Sequence, residues 1–237
     1  NTNILHEYHR PKYYEKLSAD YEKKYKKFKN RALPKITSVK GEVHLFPTDA
    51  RVEFSGTYKM KNKTGFAIDT VHTNFSTRFP FTKYDWSIDN ELVQRDSIFG
   101  WDMYVFDPPI MPGDEFLLQF AGSQERQGFS NSGVNMTVVE NGTLIFSSQI
   151  MPTFGYDPSR ELSQKRTRKK YGLKEEQDPM PAYDDPEGLK NGILGDDADW
   201  VDYEMIVSTD PDQIAMTPGY LQNEWAEKGR RFFHYKM

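Results

Sequence analysis

The sequence predicts a mainly β domain, a large curved antiparallel sheet or β-sandwich, with one helix at its N-terminal end. Three observations predict it. From Lys35 onward apolar and polar residues alternate with a period of two, the spacing that sends every second side chain to one face of a strand. Clusters of Gly, Pro, Asn and Asp interrupt these runs at short intervals, as turns between strands do. Only residues 11–29 carry a long helical period.

In that helical stretch Tyr14, Leu17, Tyr21, Tyr25 and Phe28 recur at steps of three and four around a Lys/Glu-rich remainder, and Pro11 suits a first helical turn. Residues 1–32 are therefore expected to be a helical linker from an upstream segment, with one stripe docked on the body. A membrane-surface helix is the alternative, and the mixed charges speak against it. The clearest strand is Arg51 to Met60, where Val52, Phe54, Tyr58 and Met60 share one face and Arg51, Glu53, Ser55, Thr57 and Lys59 the other. Similar alternation marks Val43/Leu45, Phe116/Leu118/Phe120 and Val201/Tyr203/Met205/Val207. Turn chemistry stands at Lys63-Thr64-Gly65, Pro112-Gly113-Asp114, Asn141-Gly142 and Lys228-Gly229. Residues 33–237 form the expected β domain. Within it, residues 157–199 are expected to be an irregular charged insertion, its basic run Lys165 to Lys170 and its acids Asp184, Asp185, Asp196, Asp197 and Asp199 lying in solvent.

A chain of 237 residues can bury a core without covalent staples, and with no cysteine it has neither disulfides nor thiolate chemistry. A net charge of -4 gives nucleic acid no long-range attraction. No apolar run approaches the length of a membrane span, so a soluble domain without direct membrane insertion is expected. The chain starts at Asn1 and stops at Met237 directly after the strand-like run Arg230 to Tyr235. It is therefore expected to be a fragment of a longer polypeptide.

Constellations that carry chemistry are scarce. His6-Glu7-Tyr8-His9 has its histidines three apart, whereas a zinc-protease helix needs them four apart to bring both imidazoles to one face. No metal site and no catalytic residue are expected. His44, His72 and His234 sit singly in strand patterns and read as satisfied or exposed side chains. The acidic cluster lacks the ligand spacing of a calcium loop, and no nucleophile elbow, phosphate loop or dinucleotide fingerprint is present. Asn62, Asn74, Asn135 and Asn141 open glycosylation-type triplets that are frequent by chance.

Several segments together resemble the N-terminal, non-catalytic domain of zinc aminopeptidases of the aminopeptidase N family. Val43 to Met60 is similar to its opening hairpin, with Phe54-Ser55-Gly56-Thr57-Tyr58 closing the second strand. Pro109 to Asp114 is similar to its L-x-P-G-E turn. Tyr183-Asp184-Asp185-Pro186 is similar to its x-D-x-P element, although the order and the long preceding insertion depart from the pattern. Ser208 to Tyr220 and Gly229 to Tyr235 resemble the strand and hairpin that hand over to the catalytic domain. Gly155-Tyr156-Asp157-Pro158, Arg168 to Leu173 and Pro218-Gly219-Tyr220-Leu221 look most like a bacterial subgroup in which an ABC-transporter permease region precedes the aminopeptidase-like part.

The resemblance covers roughly residues 35–237 and implies a structural module of a membrane-anchored parent. That module packs on a downstream catalytic domain and forms part of its peptide-binding cleft. It also implies that zinc belongs to the adjoining domain, because none of the family's zinc ligands or substrate-amine groups occurs here. One residue carries over: Gln149, in Phe146-Ser147-Ser148-Gln149, matches a Gln or Glu that the family's N-terminal domain lends to the cleft wall from a strand. The companion acid is missing, since Ile150 follows. Two other readings compete. One is a β-sandwich binding module for carbohydrate or protein, suggested by 14% aromatic residues and by Trp86, Trp101, Trp200 and Trp225. The other is a hydrolase built on paired carboxylates.

Overall fold

The computed structural model describes residues 9–126, 137–175, 182, 184–186 and 200–237. The chain opens with α1 (Pro11–Tyr25), extended by a 3-10 turn (Lys26–Phe28). Seven strands follow: β1 (Lys35–Phe46), β2 (Arg51–Lys61), β3 (Ile68–Asn74), β4 (Phe81–Trp86), β5 (Asn90–Asp96), β6 (Trp101–Ile110) and β7 (Glu115–Glu125). Then come α2 (Ser147–Ile150), β8 (Thr153–Phe154), a 3-10 turn (Pro158–Arg160) and α3 (Lys165–Lys170). The chain closes with β9 (Asp202–Thr209), β10 (Tyr220–Glu227) and β11 (Arg230–Lys236). The protein is mainly β with an N-terminal helix, as its periodicity predicts.

The strands form two sheets, one of seven strands in the order β10-β11-β9-β1-β2-β7-β4 and one of four in the order β5-β6-β3-β8. The large sheet is not purely antiparallel, because β9 lies parallel to β1 with Val43 beside Val207. The reason is the long excursion between β8 and β9, which returns the chain to the free edge of β1 in the same direction; parallel neighbours need such a crossover. The expected hairpin of β1 and β2 is present, with Val43 opposite Phe54 and Leu45 opposite Val52.

The strand faces assort as the alternation dictates. Val52, Phe54, Tyr58 and Met60 of β2 and Phe116, Leu118 and Phe120 of β7 are buried on the inner face. The four-stranded sheet packs on that face through its own aromatics. Tyr84 stacks on Tyr104 with centroids 5.7 Å apart, and Trp86 meets Phe106 edge-on at 5.2 Å. Each such buried ring contributes roughly 2–3 kcal/mol by leaving water. Two inner-face glycines make room for rings: a Cβ at Gly56 would lie 2.6 Å from Phe120 Cζ, and one at Gly122 would lie 2.4 Å from Phe54 Cζ and from the Pro80 carbonyl oxygen.

On the other face of the four-stranded sheet lies α1, making a third layer. Tyr25 packs on Trp101 at 4.1 Å, Tyr21 on Tyr156 at 5.2 Å and Phe28 on His72 at 4.4 Å. Pro11 occupies the first turn, where its missing N–H costs nothing. Leu17, Tyr21, Tyr25 and Phe28 form the docking stripe as the spacing predicts, whereas Tyr14 stays exposed. Polar Glu22 lies in the buried stripe instead.

A further expectation is corrected. The basic run is not a solvated face throughout: Arg168 is fully buried, held by Glu22 and by the carbonyls of Leu162 and Lys174. The triplets at Asn62 and Asn74, which the sequence reads as chance matches, are engaged in the fold. The Asn62 amide donates to the carbonyls of Phe66 and Ile110, that of Asn74 to the carbonyl of Gly155, and both residues are buried. Asn135 lies outside the described residues, and Asn141 is exposed in its turn.

Candidate docking surface

Strand register places one set of strand ends along a common rim of the large sheet. Lys35 of β1 faces Lys61 of β2, which faces Glu115 of β7, and Leu118 of β7 faces Trp86 at the end of β4. On the other side Ser38 faces Asp202 at the start of β9, Glu204 faces Lys236, and Lys236 faces Tyr220 at the start of β10. The connections that leave or enter at these ends therefore lie together at the rim.

That rim is where apolar side chains meet water. Entering β9, Trp200 is 93% exposed; entering β10, Met216 is 81% and Tyr220 76% exposed. Phe66 on the β2–β3 connection is 74% exposed, and Met237, paired through its backbone with Tyr203, is 59% exposed. With Leu221 and Met111, seven of the sixteen large apolar side chains that stand in solvent among the described residues belong to this one rim, so exposed apolar side chains are weighted toward it.

The segments carrying Phe66, Met111 and Met216 are tied down by side-chain hydrogen bonds. Asn62 pins the loop of Phe66, as described above, and its side-chain oxygen takes the Thr64 N–H at 2.9 Å. Asp114 accepts the Met111 N–H at 2.8 Å, closing the Pro112-Gly113 turn, where Gly113 has φ 92°. The Tyr203 hydroxyl meets Thr217 at 2.6 Å and that of Tyr235 donates to the Ala215 carbonyl at 3.1 Å, anchoring both sides of Met216. A groove of roughly 360 Å³ opens beside Met111, lined by Ser87, Ile88, Pro109 and Phe116 among others.

Charges near the rim are paired among themselves. Glu115 takes Lys59 at 2.6 Å and Lys61 at 3.1 Å, and these hydrogen bonds hold its carboxyl below the usual range. Glu204 is shared by Lys40 at 3.2 Å and His234 at 3.0 Å, which lower its pKa likewise.

Gln149 is not a strand residue and does not sit on this rim. It lies on the one-turn helix α2, where its side-chain oxygen accepts the Phe146 N–H at 2.8 Å. The following strand β8 pairs with Thr73 and Asn74, the end of β3 opposite to Ile68 and the rim. His44 bonds Ser208 at 2.8 Å, while His72 is buried with no partner on either ring nitrogen, unlike the satisfied or exposed state its setting suggests. Of the helical-zinc candidates, His9 stacks on Tyr13 at 3.8 Å; His6, Glu7 and Tyr8 lie outside the described residues. Among the described residues no group of three or more His, Asp or Glu is gathered as a metal cage, and no helix is long and apolar enough to cross a membrane.

The tryptophans divide by role. Trp86 and Trp101 are core residues, Trp225 stacks on Phe232 across the β10–β11 hairpin at 5.1 Å, and Trp200 stands on the rim. They do not make a flat exposed row. Sequence reasoning names Trp200 but misses Phe66, Met111 and Met216, whose grouping needs the strand register.

No family model and no curated protein matches the chain. Among solved structures it is similar to the M1 zinc metallopeptidase of Deinococcus radiodurans, with TM-score 0.48 and 11% identity, covering 88% of this chain and 40% of that one. A two-domain M1 zinc metallopeptidase mutant bound to L-arginine gives TM-score 0.48 and 11% identity over the same shares. A further mutant of the Deinococcus radiodurans enzyme gives 0.47 and 9%. The chain thus spans about 40% of the length of the solved structures it resembles.

Proposed function

We propose that this chain is a non-catalytic N-terminal structural module of a larger zinc aminopeptidase-like protein, and that its apolar rim packs on the catalytic domain. The observation that carries the reading is the rim itself, with Trp200, Met216, Tyr220 and Phe66 all more than two-thirds exposed beside a common set of strand ends. Exposed apolar area so concentrated is covered in the functional protein. The order of the sequence motifs names the class of neighbour, since the β10–β11 hairpin resembles the one that hands over to a catalytic domain.

In this reading zinc and the peptide-cleaving groups belong to the neighbouring domain, and the present residues supply shape. The resemblance alone makes Gln149 a cleft residue; it lies away from the rim, so that role requires the neighbouring domain to reach round to α2 as well. The parent is membrane-anchored and bacterial, with a permease region ahead of α1; the segments at 155–158, 168–173 and 218–221 support that assignment by their resemblance alone.

The test compares the chain alone with a chain extended through the next domain by hydrogen exchange. Amides of residues 62–66 and 216–221 are expected to exchange at least tenfold more slowly in the extended protein, and equal rates would remove the docking surface. Chelator-sensitive aminopeptidase activity in highly purified residues 1–237 would overturn the non-catalytic assignment. In the extended protein Gln149→Ala is expected to lower kcat/KM for peptides about tenfold, the scale of one lost hydrogen bond; unchanged kinetics would take Gln149 out of the cleft.

A further inference from the structure

Helix α1 is fastened to the body by contacts that depend on protonation. Glu22, 4% exposed, accepts two hydrogen bonds from Arg168 at 2.7 and 2.8 Å and a third from Lys26 at 3.0 Å. Asp96, at the end of β5, accepts the Tyr25 hydroxyl and the Lys24 ammonium, both at 2.5 Å. Lys26 also reaches Glu161 at 3.2 Å, and Glu161 accepts the Tyr156 hydroxyl at 2.9 Å. Beneath the 3-10 turn that ends α1, His72 lies between Phe28 at 4.4 Å and Trp101 at 4.5 Å. It is 1% exposed, and neither ring nitrogen has a hydrogen-bond partner.

An imidazolium in that sandwich is desolvated and finds no carboxylate to meet it. From the helix side the charged groups are the cations Lys24, Lys26, Lys27 and Arg31 and the carboxylate of Glu22, already taken by Arg168 and Lys26, with the hydroxyls of Tyr21 and Tyr25. From β5 comes Asp96, already taken by Lys24 and Tyr25; from β6 comes Asp102, paired with Arg95 at 2.9 Å. From the segment after β8 come Tyr156, Arg160 and Glu161; Arg160 lies over Tyr21 and donates to the Phe99 carbonyl, and Glu161 is held by Lys26. Protonating His72 therefore sets an unpaired charge under the helix, where removing the cover is the way to hydrate it.

We propose that α1 is an acid-released strap, lifted from the four-stranded sheet when His72 takes up a proton, while the sandwich beneath stays folded. The direction follows from linkage. Burial, reinforced by Arg31, lowers the pKa of His72 from 6.5 to about 4 in the docked state. Docking is therefore at full strength above pH 6.5 and weakens as the pH falls toward 4. Between pH 7 and pH 4 the undocking equilibrium rises about a hundredfold. At lower pH the strap loses its carboxylate anchors as well. Burial alone would raise Glu22 and Asp96, but their hydrogen bonds outweigh it and hold both below their ordinary values. The sandwich responds less: its core is apolar, its paired carboxylates Glu115 and Glu204 stand at the surface, where solvent weakens their contribution, and Tyr84 and Tyr104, pushed upward by desolvation, stay neutral throughout this range.

Hydrogen exchange on the 237-residue chain at pH 7 and pH 4, corrected for intrinsic rates, tests this. The amides of residues 15–28 are expected to lose about a hundredfold of protection, and those of β2 and β7 less than threefold. Equal losses in α1 and β2 would mean global unfolding and overturn the strap. His72→Phe keeps a ring in the sandwich but cannot titrate, and His72→Asn is a second neutral replacement. Both are expected to leave α1 protection nearly independent of pH, and persistence of the acid loss in either overturns the role of His72. Glu22→Gln is expected to lower α1 protection at both pH values and keep the fold-change; its disappearance there would assign the response to the carboxylate and overturn the proposal.

Discussion

Arg168 stands in a run, Lys165 to Lys170, whose composition belongs in water, yet its side chain is fully buried. Nothing adjacent in the sequence announces this, because its partner Glu22 comes from α1, 146 residues earlier. Removing the guanidinium leaves a buried carboxylate with only Lys26, so Arg168→Met is expected to cost about 3–5 kcal/mol in urea unfolding. The double variant Arg168→Met with Glu22→Leu is expected to recover a large part of that loss, because no stranded charge remains. Gly122 makes the complementary point with packing. A Cβ there collides with the Phe54 ring and with the Pro80 backbone, and the backbone does not swing aside, so Gly122→Ala is expected to cost about 1–3 kcal/mol. Gln149 shows why a residue-level match is the weakest kind. The match assumes a strand, whereas the side chain closes its own helical turn on Phe146.

At the scale of elements the sequence is most readable where periodicity and turn chemistry agree. The β10–β11 hairpin turns through Lys228 and Gly229, both with positive φ, 50° and 74°, the conformation a two-residue turn needs to match the strand twist. Gly229 adopts it freely and Lys228 does not, so Lys228→Asn is expected to stabilise the protein by about 0.5–1 kcal/mol, read as a shift in the unfolding midpoint. The α1 pattern is legible for the same reason, since four of its five marked residues line the docked stripe. The segment around α2 is not legible. Four residues are too few for a period to declare itself, and the turn is set by one side-chain hydrogen bond and by Ile150 entering the core.

At the scale of the whole molecule, the register of seven strands turns scattered loop residues into one apolar rim. Trp200→Ser with Met216→Ser removes part of that rim at two side chains that are each more than four-fifths exposed. The double variant is expected to change unfolding stability by less than about 0.5 kcal/mol per site. If the proposed docking holds, it is expected to weaken association with the proposed catalytic domain, produced separately, at least tenfold, measured by titration calorimetry. Loss of stability matching the loss of binding would show that these side chains belong to the fold instead.

By itself the sequence determined the class of the fold, the helix at its start, the inner faces of the main strands and the sharp turns, because these follow from local spacing and from what each backbone position permits. Tertiary structure alone decided that β9 runs parallel beside β1, that Arg168 and His72 are buried, and that Phe66, Met111, Trp200 and Met216 meet at one edge. Those outcomes depend on which distant segments come to lie side by side. Alternation fixes the face a side chain takes, but only pairing and register fix its neighbours.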